Sequence, residues 1–204
     1  MLINEQVKQL FIPENHAAAW HVIMEGAHPR FDTLRLLYEF ESNPEWLPVF
    51  QSAHYEPIQQ ASPILFKPKN PESWLLHWQE TFPDLDGSML ASAAPIAEVC
   101  THLEGLASIC LENRREVLFR FYDAWIMSAL YPVLDNVERL KLHGPVNKWL
   151  WCTENAAIFS DELVISPVNA HNVEQAAWLT LNQKKVSAIQ KGLRYSSKGR
   201  HFSH

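Results

Sequence analysis

The sequence predicts an α/β or α+β domain, in which a mixed sheet of short strands is flanked by helices and followed by a small C-terminal helical lobe. Three observations support this class. The 204 residues are enough for one domain with a small second lobe. Their apolar content of 47% is ordinary for a globular protein. Short apolar runs alternate with patterns of helical period along the chain. We therefore expect an α/β lobe over residues 1–165, and a helical lobe with a basic tail over residues 166–204.

The first forty residues predict a helix, a strand and a second helix. Apolar side chains at helical spacing favour an amphipathic helix over residues 3–11, which Pro13 ends. The apolar run WHVIM at residues 20–24 predicts a buried strand. After Pro29, apolar residues recur at helical spacing as far as Glu41, which predicts the second helix.

Two strands and two helices are predicted to follow a loop. Residues 43–62 combine prolines with little periodicity, so we expect loops or short turns there. The runs PILF at residues 63–66 and SMLAS at residues 88–92 predict strands. Pro71 and Pro95 each suit the first turn of a helix, and an apolar stripe follows each of them.

The next segment predicts a hairpin and then two helices. Residues 108–111 and 116–122 read as strands, and residues 113–115 form a turn of hairpin length between them. The second strand, EVLFRFY, places alternate side chains on opposite faces. Apolar residues at helical spacing predict helices over residues 124–134 and 135–143.

The C-terminal part predicts a second hairpin, a loop and a long helix. Gly144-Pro145 ends the preceding helix. Residues 146–152 and 156–159 then read as two strands of a hairpin. We expect a loop over residues 166–172 and a final helix over residues 173–192.

Charge is distributed unevenly around a net value of −6. Residues 1–112 hold 15 acidic and 5 basic residues, whereas every charged residue after Glu174 is basic. Nucleic-acid-binding domains are normally dominated by a basic patch, so this pattern argues against a nucleic-acid partner. The basic tail either binds an acidic partner or is a solvated chain end.

Cysteine usage and hydropathy predict a cytoplasmic protein. The three cysteines are an odd number without CxxC spacing, which disfavours a disulfide framework. The N-terminal segment has no signal-peptide pattern, and no apolar stretch is long enough to span a membrane. We expect no membrane partner.

No motif for catalysis, metal binding or cofactor binding stands out. The sequence has neither HExxH nor GxSxG, and its six glycines fit no phosphate-binding pattern. His201 and His204 are the one closely spaced histidine pair. Asp84 and Asp86, in the stretch FPDLDG, read as turn formers. We therefore predict no catalytic, metal or cofactor-binding residue, and a protein that is not an enzyme.

The stretch VLFRFYD at residues 117–123 is the most informative part of the chain. It resembles the central motif of the effector chaperones, or adaptors, of the bacterial type VI secretion system, a family first catalogued as a domain of unknown function. That motif is an apolar strand ending in Phe-Arg-Phe/Tyr-Tyr-Asp, usually followed by Pro-Arg. Residues 119–123 match it, whereas Ala124 and Trp125 stand in place of Pro-Arg.

Other segments resemble the same family in the same order. Residues 20–29 resemble its first strand, with Glu25 replacing the usual Asp, and His143-Gly144-Pro145 resembles its Phe-Gly-Pro turn. The resemblance spans about residues 18–150. It implies a chaperone that binds a toxic effector in the donor cytoplasm, near the effector's N-terminal region, and helps to load this toxin onto the spike protein. The alternatives are a small hydrolase or transferase, or a structural component of a larger assembly.

Candidate partner-binding residues lie in and around this motif. Arg120 and Asp123 either hold the fold together, with Asp123 capping the next helix, or contact cargo. Trp149 and Trp151 either belong to the core or form an aromatic platform for cargo. The full set of candidates is Arg120, Tyr122, Asp123, Trp125, Trp149, Trp151 and Trp178.

Overall fold

The structure is a computed structural model that describes Phe11 and residues 18–153, 156–159 and 178–196. Its main element is a six-stranded antiparallel sheet in the order β2-β3-β1-β4-β7-β8. The strands are β1 (Ala19–Met24), β2 (Glu45–Pro48), β3 (Ile64–Lys67), β4 (Gly87–Ser92), β7 (Val146–Thr153) and β8 (Ala156–Phe159). The two central strands, β1 and β4, are therefore antiparallel neighbours, although two α-helices, a 3-10 helix and two strands separate them in sequence.

A second, three-stranded sheet has the order β6-β5-β9. Its strands are β5 (Ser108–Leu111), β6 (Glu116–Leu118) and β9 (Thr180–Leu181). β5 pairs with β6 in antiparallel orientation and with β9 in parallel orientation, with Cys110 opposite Thr180. The C-terminal part of the chain thus completes a sheet that the middle of the chain begins.

Helices cover both faces of the main sheet. They are α1 (Thr33–Phe40), α2 (Pro71–Thr81), α3 (Ile96–Leu106), α4 (Ala124–Leu130), α5 (Asn136–His143) and α6 (Gln183–Ser196). Two 3-10 helices, over Ala53–Ala61 and Tyr131–Val133, complete the described elements.

The strands of the main sheet bury side chains on both faces, which gives two cores. Val22 and Met24 of β1 face the core that α1 and α2 cover. Ile23, between them, faces the larger core, to which α3, α4 and the second sheet contribute. This alternation follows from the two-residue period of a strand. It explains why Val22, Ile23 and Met24 are apolar at three consecutive positions, because a strand that is covered on both faces needs no polar side.

The predicted fold class is confirmed, since strands and helices alternate along the chain and helices flank the sheets. Most predicted elements are found within a few residues of their expected ends. The helix predicted over residues 3–11, apart from Phe11, and the loop predicted over residues 166–172 lie outside the described residues. Within the described residues, no helix is long and apolar enough to cross a membrane.

Two sequence predictions about strands are wrong. Residues 43–62 contain β2 and a nine-residue 3-10 helix rather than loops alone. β2 is an edge strand, where Pro48 costs no ladder hydrogen bond. The strand predicted over residues 116–122 ends at Leu118, because Phe119 to Asp123 turn towards α4, with the Asp123 amide donating to the Arg120 carbonyl at 3.0 Å.

The predicted helix over residues 173–192 is also wrong in its first part. Within that range the structure has β9, and α6 begins only at Gln183. The Leu179 carbonyl accepts a hydrogen bond from Cys110, and α6 packs against α4. The boundary between residues 165 and 166 stays a prediction, but the described C-terminal elements are packed on the rest of the fold.

Candidate functional site

Arg120 lies at the centre of a group of charged side chains at one end of the main sheet. Its Nη1 donates to Glu25 Oε1 at 2.9 Å, and its Nη2 donates to Asp86 Oδ2 at 2.7 Å. The guanidinium carbon is 5.4 Å from the centre of the Tyr122 ring, within the range of a cation–π interaction. We call Glu25, Asp86, Arg120, Tyr122 and Asp123 the Arg120 cluster.

The sheet brings the two carboxylates of this cluster together. Glu25 follows the last residue of β1, and Asp86 precedes the first residue of β4. Because β1 and β4 are antiparallel, these ends are adjacent, and the Glu25 amide donates to the Asp86 carbonyl at 2.8 Å. Gly87 keeps this end tight, since a Cβ there would lie 2.6 Å from the Ile23 carbonyl oxygen.

Asp123 begins α4. Its Oδ1 accepts the backbone amides of Trp125 at 2.9 Å and Ile126 at 3.2 Å, as the helix-capping interpretation predicted. Burial raises the pKa of the Asp123 carboxyl, and the negative charge of Asp86 raises it further. The helix amides and Arg120 oppose this rise.

Arg120 is held as a cation. Burial works to lower the pKa of its guanidinium, but the surrounding groups, Tyr122 and Glu25 first, raise that pKa on balance. Burial also raises the pKa of Tyr122. The Arg120 side chain nevertheless keeps 36% of its surface exposed, so the cluster opens to solvent. Its Nε is buried and makes no hydrogen bond to a described residue.

The candidate tryptophans fall into two groups. Trp149 and Trp151 are 0% exposed, and their rings stack with centroids 5.1 Å apart. They occupy the core, so an aromatic cargo platform would require this packing to open. Trp178 is also buried, and its Nε1 donates to the Leu106 carbonyl at 3.0 Å. Trp125 is half-buried, in the first turn of α4 beside the cluster.

Three of the seven candidate residues therefore meet in one place, namely Arg120, Tyr122 and Asp123. Trp151 touches this motif from the interior, since its Nε1 donates to the Phe121 carbonyl at 3.0 Å. Sequence reasoning missed Glu25 and Asp86 as partners. A signal was available, because an arginine in an apolar strand needs a carboxylate once it is buried. The FPDLDG stretch was instead interpreted as a turn.

A second surface feature lies between the first 3-10 helix and the second sheet. It is a groove of about 280 Å³, lined by His54, Tyr55, Pro57, Ile58, Ala107, Ser108, Glu116, Val117 and Leu118. Ile58 and Leu118 are exposed apolar residues of this lining. Two of these lining residues contact each other, since the Ser108 hydroxyl donates to the Glu116 carboxylate.

The basic tail predicted after Glu174 is partly internal. Lys185 of α6 is buried and pairs with Glu138 of α5. Glu138 also accepts the Asp135 amide at 3.0 Å, which completes the capping box of α5. One of the lysines considered for an acidic partner therefore has its acidic partner within the same chain.

The described residues offer little for covalent or metal chemistry. No group of three or more His, Cys, Asp or Glu side chains among them is arranged to hold a metal ion. Burial raises the pKa of the Cys100 thiol to about 11, so the thiol stays protonated and is a poor nucleophile. The Arg120 cluster presents charged and hydrogen-bonding groups beside a guanidinium that is partly exposed to solvent.

Residues 20–141 match the model of a protein family described as a domain of unknown function (DUF4123). The match covers more than half of the chain and includes every member of the Arg120 cluster. No curated protein and no solved structure matches the chain.

Proposed function

The chain belongs to the DUF4123 family, and on that premise we propose that it is an adaptor chaperone of a type VI secretion system. In this role it binds an effector in the donor cytoplasm and helps to load the effector onto the secretion spike. Its partners are the effector protein, through the effector's N-terminal region, and the spike protein. It acts without a cofactor, as a binding protein rather than an enzyme.

The observation that carries this proposal is the FRFYD segment, residues 119–123. The segment resembles the central motif of the adaptors, and it lies inside the part of the chain that the family model matches. In the fold it is an ordered turn that buries Phe119 and Phe121 and brings Arg120 to the surface. A motif that packs two aromatic side chains in the core and keeps a charged side chain partly exposed suits a binding module.

The surface supports a binding role as well. Several apolar side chains are exposed on the fold, namely Leu34, Tyr38, Ile58, Leu118, Val137 and Leu140. Isolated exposed apolar residues are common, but Ile58 and Leu118 share one groove, which is more typical of a contact surface. The net charge of −6 argues against nucleic acid as the partner.

Co-purification tests the proposal. The full chain, carrying an affinity tag, is expressed in the bacterium from which its gene derives, and its partners are quantified by mass spectrometry. We expect one effector and a spike protein to be enriched over a tagged control protein. Deletion of the gene should stop secretion of that effector while other effectors are still secreted. Turnover of a small molecule, or stoichiometric incorporation into a particle, would instead support the enzyme or structural alternatives.

A further inference from the structure

The second sheet ends at β6, whose outer edge pairs with no other described strand. Directly after β6, the Phe119 amide donates to the Ala107 carbonyl at 2.8 Å. Because such bonds alternate along an antiparallel pair, the backbone groups of Val117 also face β5, whereas those of Glu116 and Leu118 point away from it. Neither of these two backbones has a hydrogen-bond partner among the described residues. Two N–H and two C=O groups on this edge are therefore available to another strand.

The groove of about 280 Å³ described above lies against the same strand. All three residues of β6 line it, together with four residues of the first 3-10 helix. The side chains of Glu116 and Leu118 share one face of β6, because side chains alternate along a strand. In this lining Leu118 is 53% exposed and Ile58 is 37% exposed. The β6 edge thus combines unpaired main-chain groups with a neighbouring apolar surface.

The lining of the groove favours a basic ligand over an acidic one. Glu116 is its one acidic residue, and no lysine or arginine of the described chain lines it. His54 Nε2 lies 3.6 Å from Glu116 Oε1, but both side chains are more than half exposed, so solvent screens this contact. A basic residue placed opposite Glu116 on a neighbouring strand would be attracted, and an acidic residue would be repelled.

We propose that the β6 edge binds an extended segment of a partner protein as an added antiparallel strand. The segment places an apolar side chain between Ile58 and Leu118, and a lysine or arginine opposite Glu116. In strand addition, main-chain hydrogen bonds supply affinity and alternate side chains supply specificity. The antiparallel direction is the more stable of the two. That the partner is an effector or the spike protein rests on the proposed function; the chemistry of the edge does not.

A second copy of this chain is a poorer occupant of the edge. Two β6 strands that pair with Glu116 opposite Glu116 would set like charges against each other. Pairing Leu118 with Leu118 would align only one outward-facing residue of each strand. Pairing Glu116 with Leu118 would set a carboxylate opposite an apolar side chain. A segment of a different protein can complement both positions at once.

Substitutions can remove the side-chain contacts without removing the fold. Ile58→Ser removes an exposed apolar side chain of the groove, and Glu116→Gln removes the charge but keeps the shape. Leu34→Ser is the matched control for Ile58→Ser, because Leu34 is also 37% exposed but lies on α1, outside the groove. Thermal melts of the three variants establish that each remains folded. The main-chain contacts are tested separately, on the unaltered chain.

The test is an NMR titration of the ¹⁵N-labelled full chain with the peptide acetyl-Thr-Ile-Thr-Lys-Thr-amide. In antiparallel pairing, its isoleucine lies opposite Leu118 and its lysine opposite Glu116. N-methylation of the isoleucine removes the N–H that would donate to the Leu118 carbonyl. N-methylation of the central threonine is the matched control, because that N–H points away from β6. A third analogue carries glutamate in place of lysine.

We expect the unmodified peptide to cause saturable shifts at the amides of Glu116 and Leu118. Binding should weaken about tenfold for the peptide with N-methyl-isoleucine and be retained for the peptide with N-methyl-threonine. It should also weaken in Ile58→Ser, but not in Leu34→Ser. The lysine peptide should bind more tightly than the glutamate peptide, and Glu116→Gln should remove that preference.

The proposal is overturned if the unmodified peptide gives no saturable shifts at these two amides, if both N-methylated peptides bind equally well, or if Ile58→Ser binds as the wild type does. Shifts at the same amides that depend on protein concentration alone would assign the edge to a second copy, which also overturns it. The titration contains no effector, so its outcome is separate from that of the proposed function. If an identified effector is captured unchanged by Ile58→Ser, the adaptor function stands, and that effector binds elsewhere.

Discussion

Arg120 links two elements that are far apart in sequence, since its guanidinium joins the end of β1 to the start of β4. Replacing it by Met keeps the apolar stem but leaves Glu25 and Asp86 without that guanidinium. We expect Arg120→Met to lower the free energy of unfolding by about 1–3 kcal/mol, less than for a fully buried pair because the side chain is partly exposed. Urea denaturation measures the loss. Adding Glu25→Gln should recover part of it.

Arg35→Met provides the comparison for this experiment. Arg35 pairs with Glu39 one helical turn away, and its side chain is 75% exposed. Solvent screens such a pair, so we expect a much smaller loss than for Arg120→Met. Equal losses in the two variants would mean that the Arg120 ion pairs contribute no more than surface ones.

The structural role of a residue could be predicted where it depends on residues nearby in sequence. It could not be predicted where it depends on residues far away in sequence. Asp123 was predicted to cap a helix because a cap depends on the next three residues. Asp86 was interpreted as a turn former, since nothing within FPDLDG indicates an arginine 34 residues later. The sequence left two alternatives for Trp149 and Trp151, core residues or a platform for cargo, because strand alternation places both side chains on one face but does not say what covers that face.

At the scale of elements, a buried ion pair joins α6 to α5. Lys185 of α6 and Glu138 of α5 are both largely buried. We expect Lys185→Met to destabilise the protein by about 3 kcal/mol, because it leaves a carboxylate without its cation. Hydrogen exchange should show the amides of α6 opening first.

Lys184→Met is the control, since Lys184 is the exposed neighbour of Lys185 in the same helix. It changes the same charge and the same helical propensity, so it should leave stability nearly unchanged. If both variants lost equal stability, net charge rather than the Glu138 contact would be the cause.

Elements with local start signals were predicted well, whereas the two short strands β2 and β9 were not. α2 begins at Pro71 after the Asn70 cap, and both signals stand in the sequence. β2 and β9 are four and two residues long, and they are strands because of the strands beside them. Strand formation depends strongly on such context, and a short segment carries little pattern of its own.

At the scale of the whole molecule, the C-terminal elements complete the larger core. Trp178, Leu179 and Leu181 are buried there. We therefore expect a chain ending at residue 165 to lose cooperative unfolding, because removing several buried side chains exceeds the usual margin of stability of about 5–15 kcal/mol. Circular dichroism melts measure this. A chain ending at residue 196 retains every described element and should melt as the full chain does. A cooperative, native-like melt of the shorter chain would establish an independent lobe over residues 1–165.

Buried histidines make the whole fold sensitive to acid. Burial lowers the pKa of His21 and His143, and lowers that of His102 to about 4. The folded chain keeps them neutral, whereas the unfolded chain binds protons below about pH 6.5. Stability should therefore fall as pH drops from about 6.5 towards 4, with His102 alone contributing roughly 1–2 kcal/mol of loss by about pH 5.

Urea titrations at several pH values measure this slope. His102 donates to the Leu142 carbonyl at 3.0 Å when its Nε2 is protonated, so His102→Gln keeps a donor but cannot titrate. We expect this variant to show a shallower fall in stability. An unchanged slope in His102→Gln would assign the acid sensitivity to other groups.

The parallel pairing of β5 with β9 has a consequence for the order of folding. It places residue 110 opposite residue 180, so the ends of the long intervening segment must come together before β5 and β9 can form a hydrogen bond. The β5–β6 hairpin closes across a few residues and can form early. During refolding, β5 should therefore have one unpaired edge until β9 docks, and that edge can pair with another chain. Aggregation of refolding intermediates should then rise with protein concentration and fall when residues 178–196 are supplied as a separate peptide.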